Sequence, residues 1–206
     1  MKDPLMDGFW SDDAAVVVGG GPSLRGFNFK RLLPYHTMAI NMAFLDCPDA
    51  EIVYVGDRRL LERLSLDSRF HAHPGLKVMR ENHLESAVCQ KDGVVSIPVT
   101  KAGAWGESLE DGVCDLGNAG TAALNLADIL GADPIYLLGI DCGGADAAGR
   151  IANYHDEYPA SWRKPADYLK RKFSGAFEDV APHIFAKVYN CSETSTLNCF
   201  LRCELP

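Results

Sequence analysis

The stretch Asn153-Tyr154-His155-Asp156-Glu157-Tyr158-Pro159 gathers one imidazole, two phenols and two carboxylates ahead of a polar, helix-forming segment. Histidine titrates near neutral pH, so His155 can take a proton from an acceptor hydroxyl. The plainer reading is that Asp156 or Glu157 only favours a helix N-terminus and that Tyr154 and Tyr158 only pack. A further carboxylate, Asp141, ends an apolar run and precedes Cys142-Gly143-Gly144. It either contacts a substrate in the same crevice or caps its own loop.

Two glycine-rich turns have the composition of anion cradles. In Gly19-Gly20-Gly21-Pro22-Ser23 the glycines let the backbone turn and approach a ligand, and Ser23 can cap the next helix and aim its amides at an anion. The turn lacks the Gly-Lys-Ser/Thr of a P-loop, and Leu24 stands at the sixth position of the dinucleotide fingerprint. A purely structural turn explains it equally well. The second cluster, Gly117-Asn118-Ala119-Gly120-Thr121, opens a helix that Asn118 or Thr121 can cap, with small residues leaving room beside the amides. Asn41 and Gly56-Asp57-Arg58 end two other apolar runs. Two candidate anion sites at helix starts, with Asn41 and Asp57 on neighbouring strand ends, favour a nucleotide more than either cluster does alone. No metal is required: Asp-x-Asp does not occur, and His71-Ala72-His73 reads as a solvated loop without an acidic cluster.

The elements that must position these residues are short β-branched runs at 14–18, 37–41 and 51–56, each closed by glycine or a polar residue. After Asp57, leucines at 60, 61, 64 and 66 predict a helix. Further strands are expected at 76–79 and 94–99, the latter an edge strand or a strand end because of Pro98. Residues 100–114, anchored by Trp105, read as a loop or part of a lid. The clearest α/β unit follows: Ala122, Ala123, Leu126, Ile129 and Leu130 form an apolar stripe, Gly131 stops the helix, and 134–140 is a buried strand. A long polar helix is expected over 160–180 and a strand over 184–189. Alternating strands and helices with uninterrupted apolar runs predict an α/β fold, a doubly wound and mainly parallel Rossmann-like sheet. Ligands of such sheets bind at the carboxyl ends of the strands. The whole of 1–206 is expected to form one nucleotide-binding domain, with 142–165 as a lid or active-site loop.

With 47% hydrophobic and 23% charged residues the composition is globular, which excludes disorder and collagen-like repeats. Twenty basic against 28 acidic residues give a charge of −8, which argues against nucleic acid. Seven scattered cysteines without a Cys-x-x-Cys pair read as reduced thiols. The acidic start lacks a signal-peptide pattern and no apolar run is long enough to span a membrane, so a cytoplasmic protein is expected. Self-association is left open.

The runs VVVGGGPSLRGFNFKRL, AINMAF, NAGTAALNLADILGADPIYLLGID and YNCSETSTLNCF resemble two related groups. One is the bacterial sialyltransferase family of the Campylobacter type. The other is the MptE-like family of 6-hydroxymethylpterin pyrophosphokinases, whose phage and prophage members look closest. The sialyltransferase resemblance implies that Gly19, Gly21 and Ser23 approach a nucleotide, that Asn41 contacts its phosphate or sugar, and that Gly120 and Thr121 lie beside it. It further implies that His155 deprotonates the acceptor, and that Tyr154 and Tyr158 stabilise the departing phosphate without a metal. The expected function is then a nucleotide-dependent transferase, a glycosyltransferase using a nucleotide-sugar, with no firmly expected cofactor. The alternatives are a pyrophosphokinase-like enzyme, with Mg²⁺ held by Asp57, Asp141 or Asp156, and a non-catalytic phage accessory protein that binds nucleotide.

Overall fold

The computed structural model describes residues 5–81, 93–143, 153, 155, 157–162 and 165–206. Among these residues eight strands form one sheet: β1 (Ala15–Val18), β2 (His36–Ile40), β3 (Ile52–Val55), β4 (Leu76–Arg80), β5 (Val95–Ile97), β6 (Ile135–Leu138), β7 (Val188–Asn190) and β8 (Leu201–Arg202). Their order is β5-β4-β3-β2-β1-β6-β7-β8, and every pairing is parallel. The chain builds outward from β1 to β5, then returns to the other side of β1 with β6. That reversal is the topological switch point, where loops diverge and leave a crevice.

The uninterrupted apolar runs follow from burial on both faces. Ala15 and Val17 point into one core with Met38, Ile52, Tyr54 and Leu137, beneath helix α3 (Ala119–Ile129). Val16 and Val18 point into the other with Ala39, Val53 and Val55, against Leu60, Leu61 and Leu64 of helix α1 (Arg58–Leu64). Residues of α3 are buried almost throughout, including Thr121 and Asn125. Its Asn125 side chain takes the amides of Gly106 and Cys114 and donates to Gly106 O, pinning the 100–114 loop to the core. Among the described residues β5 is an edge strand, and Pro98 directly follows its last residue. No described helix is long and apolar enough to cross a membrane.

Three expectations change. The helix expected over 160–180 is divided into a 3₁₀ turn (Ala160–Trp162), α4 (Ala166–Leu169), a π-helical turn (Lys170–Ser174) and α5 (Gly175–Val180). Pro165, which has no N–H to continue a helix, sits where α4 begins. The strand expected over 184–189 shortens to β7, because Asp128 accepts from the amides of Phe185 and Ala186 and Asp133 from that of Lys187. The His71-Ala72-His73 segment is no solvated loop. It ends helix α2 (Ser68–Ala72), and buried His73 donates through Nε2 to Cys47 O while Nδ1 accepts from the Gly75 amide.

Candidate functional site at the carboxyl ends of the central strands

The Gly19-Gly20-Gly21 turn leaves β1 at the switch point, and none of the three glycines has a positive φ. Close approach, not a special turn conformation, is what excludes side chains there. A Cβ on Gly19 would lie 2.5 Å from Gly139 O, and one on Gly21 would lie 2.2 Å from Asp141 Oδ2. Most of the turn's amides have internal partners. Gly19 N donates to Leu138 O (2.7 Å), Gly21 N to Gly139 O (2.8 Å) and Ser23 N to Asp141 Oδ2 (2.8 Å). Asp141 therefore accepts from the first turn of the 3₁₀ segment Pro22–Leu24, in a different part of the chain from the loop that follows it. Burial, outweighing its hydrogen bonds with Ser23, raises the Asp141 carboxyl above the ordinary value.

Gly20 differs from its neighbours. A Cβ there would stand 3.3 Å from Asn153 Oδ1, a tight contact that a small shift of that side chain relieves, and 3.6 Å from His155 Nε2, in ordinary contact. Its face is thus turned toward the histidine-containing segment. That segment is fastened by two arginines that the sequence did not single out. Arg25 donates to Asn153 O (3.1 Å), and Arg69 on α2 pairs with both carboxylate oxygens of Glu157 (3.1 and 3.2 Å). The Glu157 amide donates to His155 Nδ1 at 3.3 Å, and the imidazole lies 5.1 Å from the Tyr158 ring. The Tyr158 hydroxyl is hydrogen-bonded to the Met42 amide and the Asn41 side chain, and burial drives its pKa upward. Tyr154, Asp156 and most of the expected lid 142–165 lie outside the described residues.

Asn41 closes β2 in the left-handed region, with φ 54°. Its Oδ1 accepts from the Gly56 amide at 2.9 Å, tying the ends of β2 and β3 together. Gly56 must lack a side chain, since a Cβ would come 2.2 Å from that of Ala119. The start of α3 is thereby brought against β3. Asn118 caps α3 through Oδ1 to Gly120 N (2.8 Å), and Thr121 Oγ1 donates to Asn118 O (2.9 Å). Gly120 makes room for Phe177 of α5.

Asp57 and Arg58 turn to local partners. Asp57 caps α1, accepting from the Arg59 amide and guanidinium; burial pushes its carboxyl up, but these bonds outweigh it and the net shift is downward. Arg58 pairs with Glu62 (3.0 Å) on the exposed side of α1. Among the described residues no three His, Cys, Asp or Glu side chains come together as a metal site.

The run 192–196 serves the loop after β6. Ser192 Oγ accepts from Ile140 N (2.9 Å), Ser195 Oγ donates to Ile140 O (2.7 Å), Thr196 N donates to Asp141 O (3.0 Å) and Thr196 Oγ1 to Cys142 O (3.0 Å). These bonds satisfy a backbone that turns left-handed at Cys142 (φ 47°) and so fix Asp141 beneath the glycine turn. A Ser/Thr-rich run directly after a strand was the only sequence signal of this clamp.

No protein-family model matches the sequence, and no curated protein matches it either. Solved structures do. The MAf glycosyltransferase of Magnetospirillum magneticum AMB-1 aligns with a TM-score of 0.59 at 14% identity, over 97% of this chain and 35% of that one, so this chain spans about a third of its length. The sialyltransferase CST-II, solved with a trisaccharide acceptor and CMP, aligns with a TM-score of 0.54 at 15% identity, over 93% of this chain and 86% of that one. At such identities the likeness is one of fold. The α/β sheet has the sialyltransferase-like form, and these two likenesses lend no support to MptE-like or phage-type membership.

Proposed function

We propose that this protein is a glycosyltransferase that takes its sugar from a nucleotide-sugar donor bound across the carboxyl ends of β1, β2 and β6. The observation that carries this reading is the position of His155 over Gly20, with two arginines fastening its segment and Tyr158 linking it to Asn41. A titratable ring is thus brought to the switch point of a sheet whose fold is shared with a glycosyltransferase and with a sialyltransferase that holds CMP. Cytidine nucleotides are accordingly the first donors to test.

The base role expected of His155 needs a lone pair at Nε2. Because Nδ1 accepts from the Glu157 amide, the neutral ring carries its proton on Nε2 and presents an N–H toward Gly20. We assign His155 to hydrogen-bond donation onto the departing phosphate, where preorganised donors act most strongly. Tyr158 is then a positioning residue that holds the ring and the Asn41 turn.

Donor hydrolysis and sugar transfer by wild type, His155→Ala and His155→Gln separate these roles. Glutamine keeps an N–H near the Nε2 position but has no basicity. Alanine is expected to lower turnover by about 10²–10³, the range for loss of one such donor, with glutamine retaining a substantial part. Glutamine as inactive as alanine would restore the base role. Absence of turnover with every nucleotide-sugar would remove the transferase reading.

A further inference from the structure

Around the first turn of α3 lie three buried hydrogen-bond donors that lack partners among the described residues: Tyr54 OH, Arg80 Nε and Asn118 Nδ2. Tyr54 is fully buried and Asn118 is 6% exposed. Arg80 ends β4 with its side chain 11% exposed, paired with Asp115.

Contacts bring the three together. Tyr54 is in register with Val78, and Arg80 stands two residues further along β4, on the same face and nearer the carboxyl end. Asp115 holds the guanidinium and also accepts from the Gly117 amide at 2.8 Å, which joins Arg80 to the turn carrying Asn118. Both Arg80 and Asp115 act electrostatically on the Tyr54 phenol. Gly56, two residues beyond Tyr54, packs on Ala119, so the phenol lies under the start of the helix. Lys172 Nζ is 3.5 Å from the point a Cβ on Gly117 would occupy. Asp115, the acidic group at this place, is already committed to Arg80 and Gly117. Donors, two cations and the positive end of an 11-residue helix therefore face a place that calls for an acceptor-only group.

We propose that Tyr54, Arg80 and Asn118 form an oxyanion subsite, which takes a carboxylate or phosphate group of the substrate. Buried polar groups are ordinarily paired, and three convergent exceptions of one polarity mark a missing acceptor. Placed beside Asn41 and Gly56, the subsite rests on the transferase reading and narrows it: the donor or acceptor carries a negatively charged group bound here, next to the His155 crevice.

Thermal melting in inorganic phosphate and in D-glucuronate, each against sodium chloride of equal ionic strength, tests the subsite and tells the two oxyanions apart. Wild type is expected to melt higher in at least one of them. Tyr54→Phe, which deletes only the orphaned hydroxyl, is expected to melt no lower than wild type without the anion, yet to lose at least half of the anion-induced shift. Asn118→Asp keeps the cap on Gly120 but puts a negative oxygen in place of Nδ2, and is expected to abolish the shift. No wild-type shift in either oxyanion, an undiminished shift in both variants, or a Tyr54→Phe protein that melts well below wild type in chloride would overturn the subsite. Donor binding that depends on His155 but is unchanged by Tyr54→Phe and Asn118→Asp would remove the subsite and leave the transferase. A variant-sensitive oxyanion response with no response to any nucleotide-sugar would do the reverse.

Discussion

Alanine at Gly21 and alanine at Gly20 should have opposite consequences, although the two residues are adjacent. Gly21 has φ −73° and ψ 157°, which alanine adopts freely, so any penalty there is steric. The new methyl would stand 2.2 Å from Asp141 Oδ2 and 2.7 Å from Gly139 O, and Asp141 itself is held from behind through Thr196 N. Accommodation means giving up the bond from Ser23 N to a carboxylate, worth roughly 1.5–3 kcal/mol, on top of about 1–3 kcal/mol of overpacking. Gly21→Ala should therefore destabilise by about 3–5 kcal/mol, a large share of the roughly 5–15 kcal/mol of a typical domain. At this chain length that is a fall in Tm on the order of 10 °C. The methyl of Gly20→Ala meets only side chains, Asn153 Oδ1 closely at 3.3 Å and His155 Nε2 at 3.6 Å, and a shift of a few tenths of an ångström accommodates it, so stability should change by less than about 1 kcal/mol. It does, however, fill the space between the turn and the imidazole, and donor affinity should fall at least tenfold. Urea denaturation gives the first comparison and calorimetric binding the second. A Gly21→Ala protein as stable as wild type, or a Gly20→Ala protein with unchanged donor affinity, would refute the division of labour between the two glycines.

Asp141→Asn bears on the same loop. The raised pKa of Asp141 means that its contribution to stability is fully present below the ordinary aspartate value and is lost as pH rises through the folded value. The asparagine variant, which still offers an oxygen to Ser23 N, should match or exceed wild-type stability at pH 7 and should flatten the decline between pH 4 and neutrality, as followed by urea midpoints across that range. Arg69→Ala removes two ion pairs of an exposed guanidinium, to Asp67 and to Glu157, so melting should move by no more than a few degrees, while kcat falls because Glu157 and with it His155 lose their anchor; a large Tm loss with unaltered kcat would contradict this. Burial pushes the Cys47 and Cys142 thiols each up to about 12, leaving a thiolate share of roughly one in 10⁴ at pH 8. Peptide mapping after iodoacetamide treatment should find both unmodified in the native protein and alkylated in urea.

What the sequence disclosed and what it hid have separate physical causes. Runs such as Ala15–Val18 and Ile52–Val55 were legible because strands buried on both faces are apolar throughout, and the cap at Asn118 because capping is a local interaction. The approach of His155 to Gly20 was expected only in outline, since it depends on Arg25 and Arg69, exposed arginines with nothing in their neighbourhood to distinguish them. Tyr54 lies inside the apolar run 51–56 and Arg80 just past the strand expected at 76–79, and neither stood out there. Their significance lies in atoms left without partners, which no spacing encodes. The glycine turn is the instructive case. Its composition pointed to an anion nest, but a turn packed edge to edge against the next strand's loop needs the same glycines, and here Asp141 fills the place at the Ser23 amide that a ligand was expected to take.

The most direct test of nucleotide-sugar binding at the switch point is calorimetric titration of CMP, UDP and GDP and their sugar conjugates into wild type and Gly20→Leu, whose longer side chain would occupy the space in front of His155. At least one nucleotide-sugar is expected to bind wild type, with binding lost in a Gly20→Leu protein that still unfolds cooperatively. Equal binding by the folded variant, or no binding of any nucleotide by wild type, would contradict the assignment.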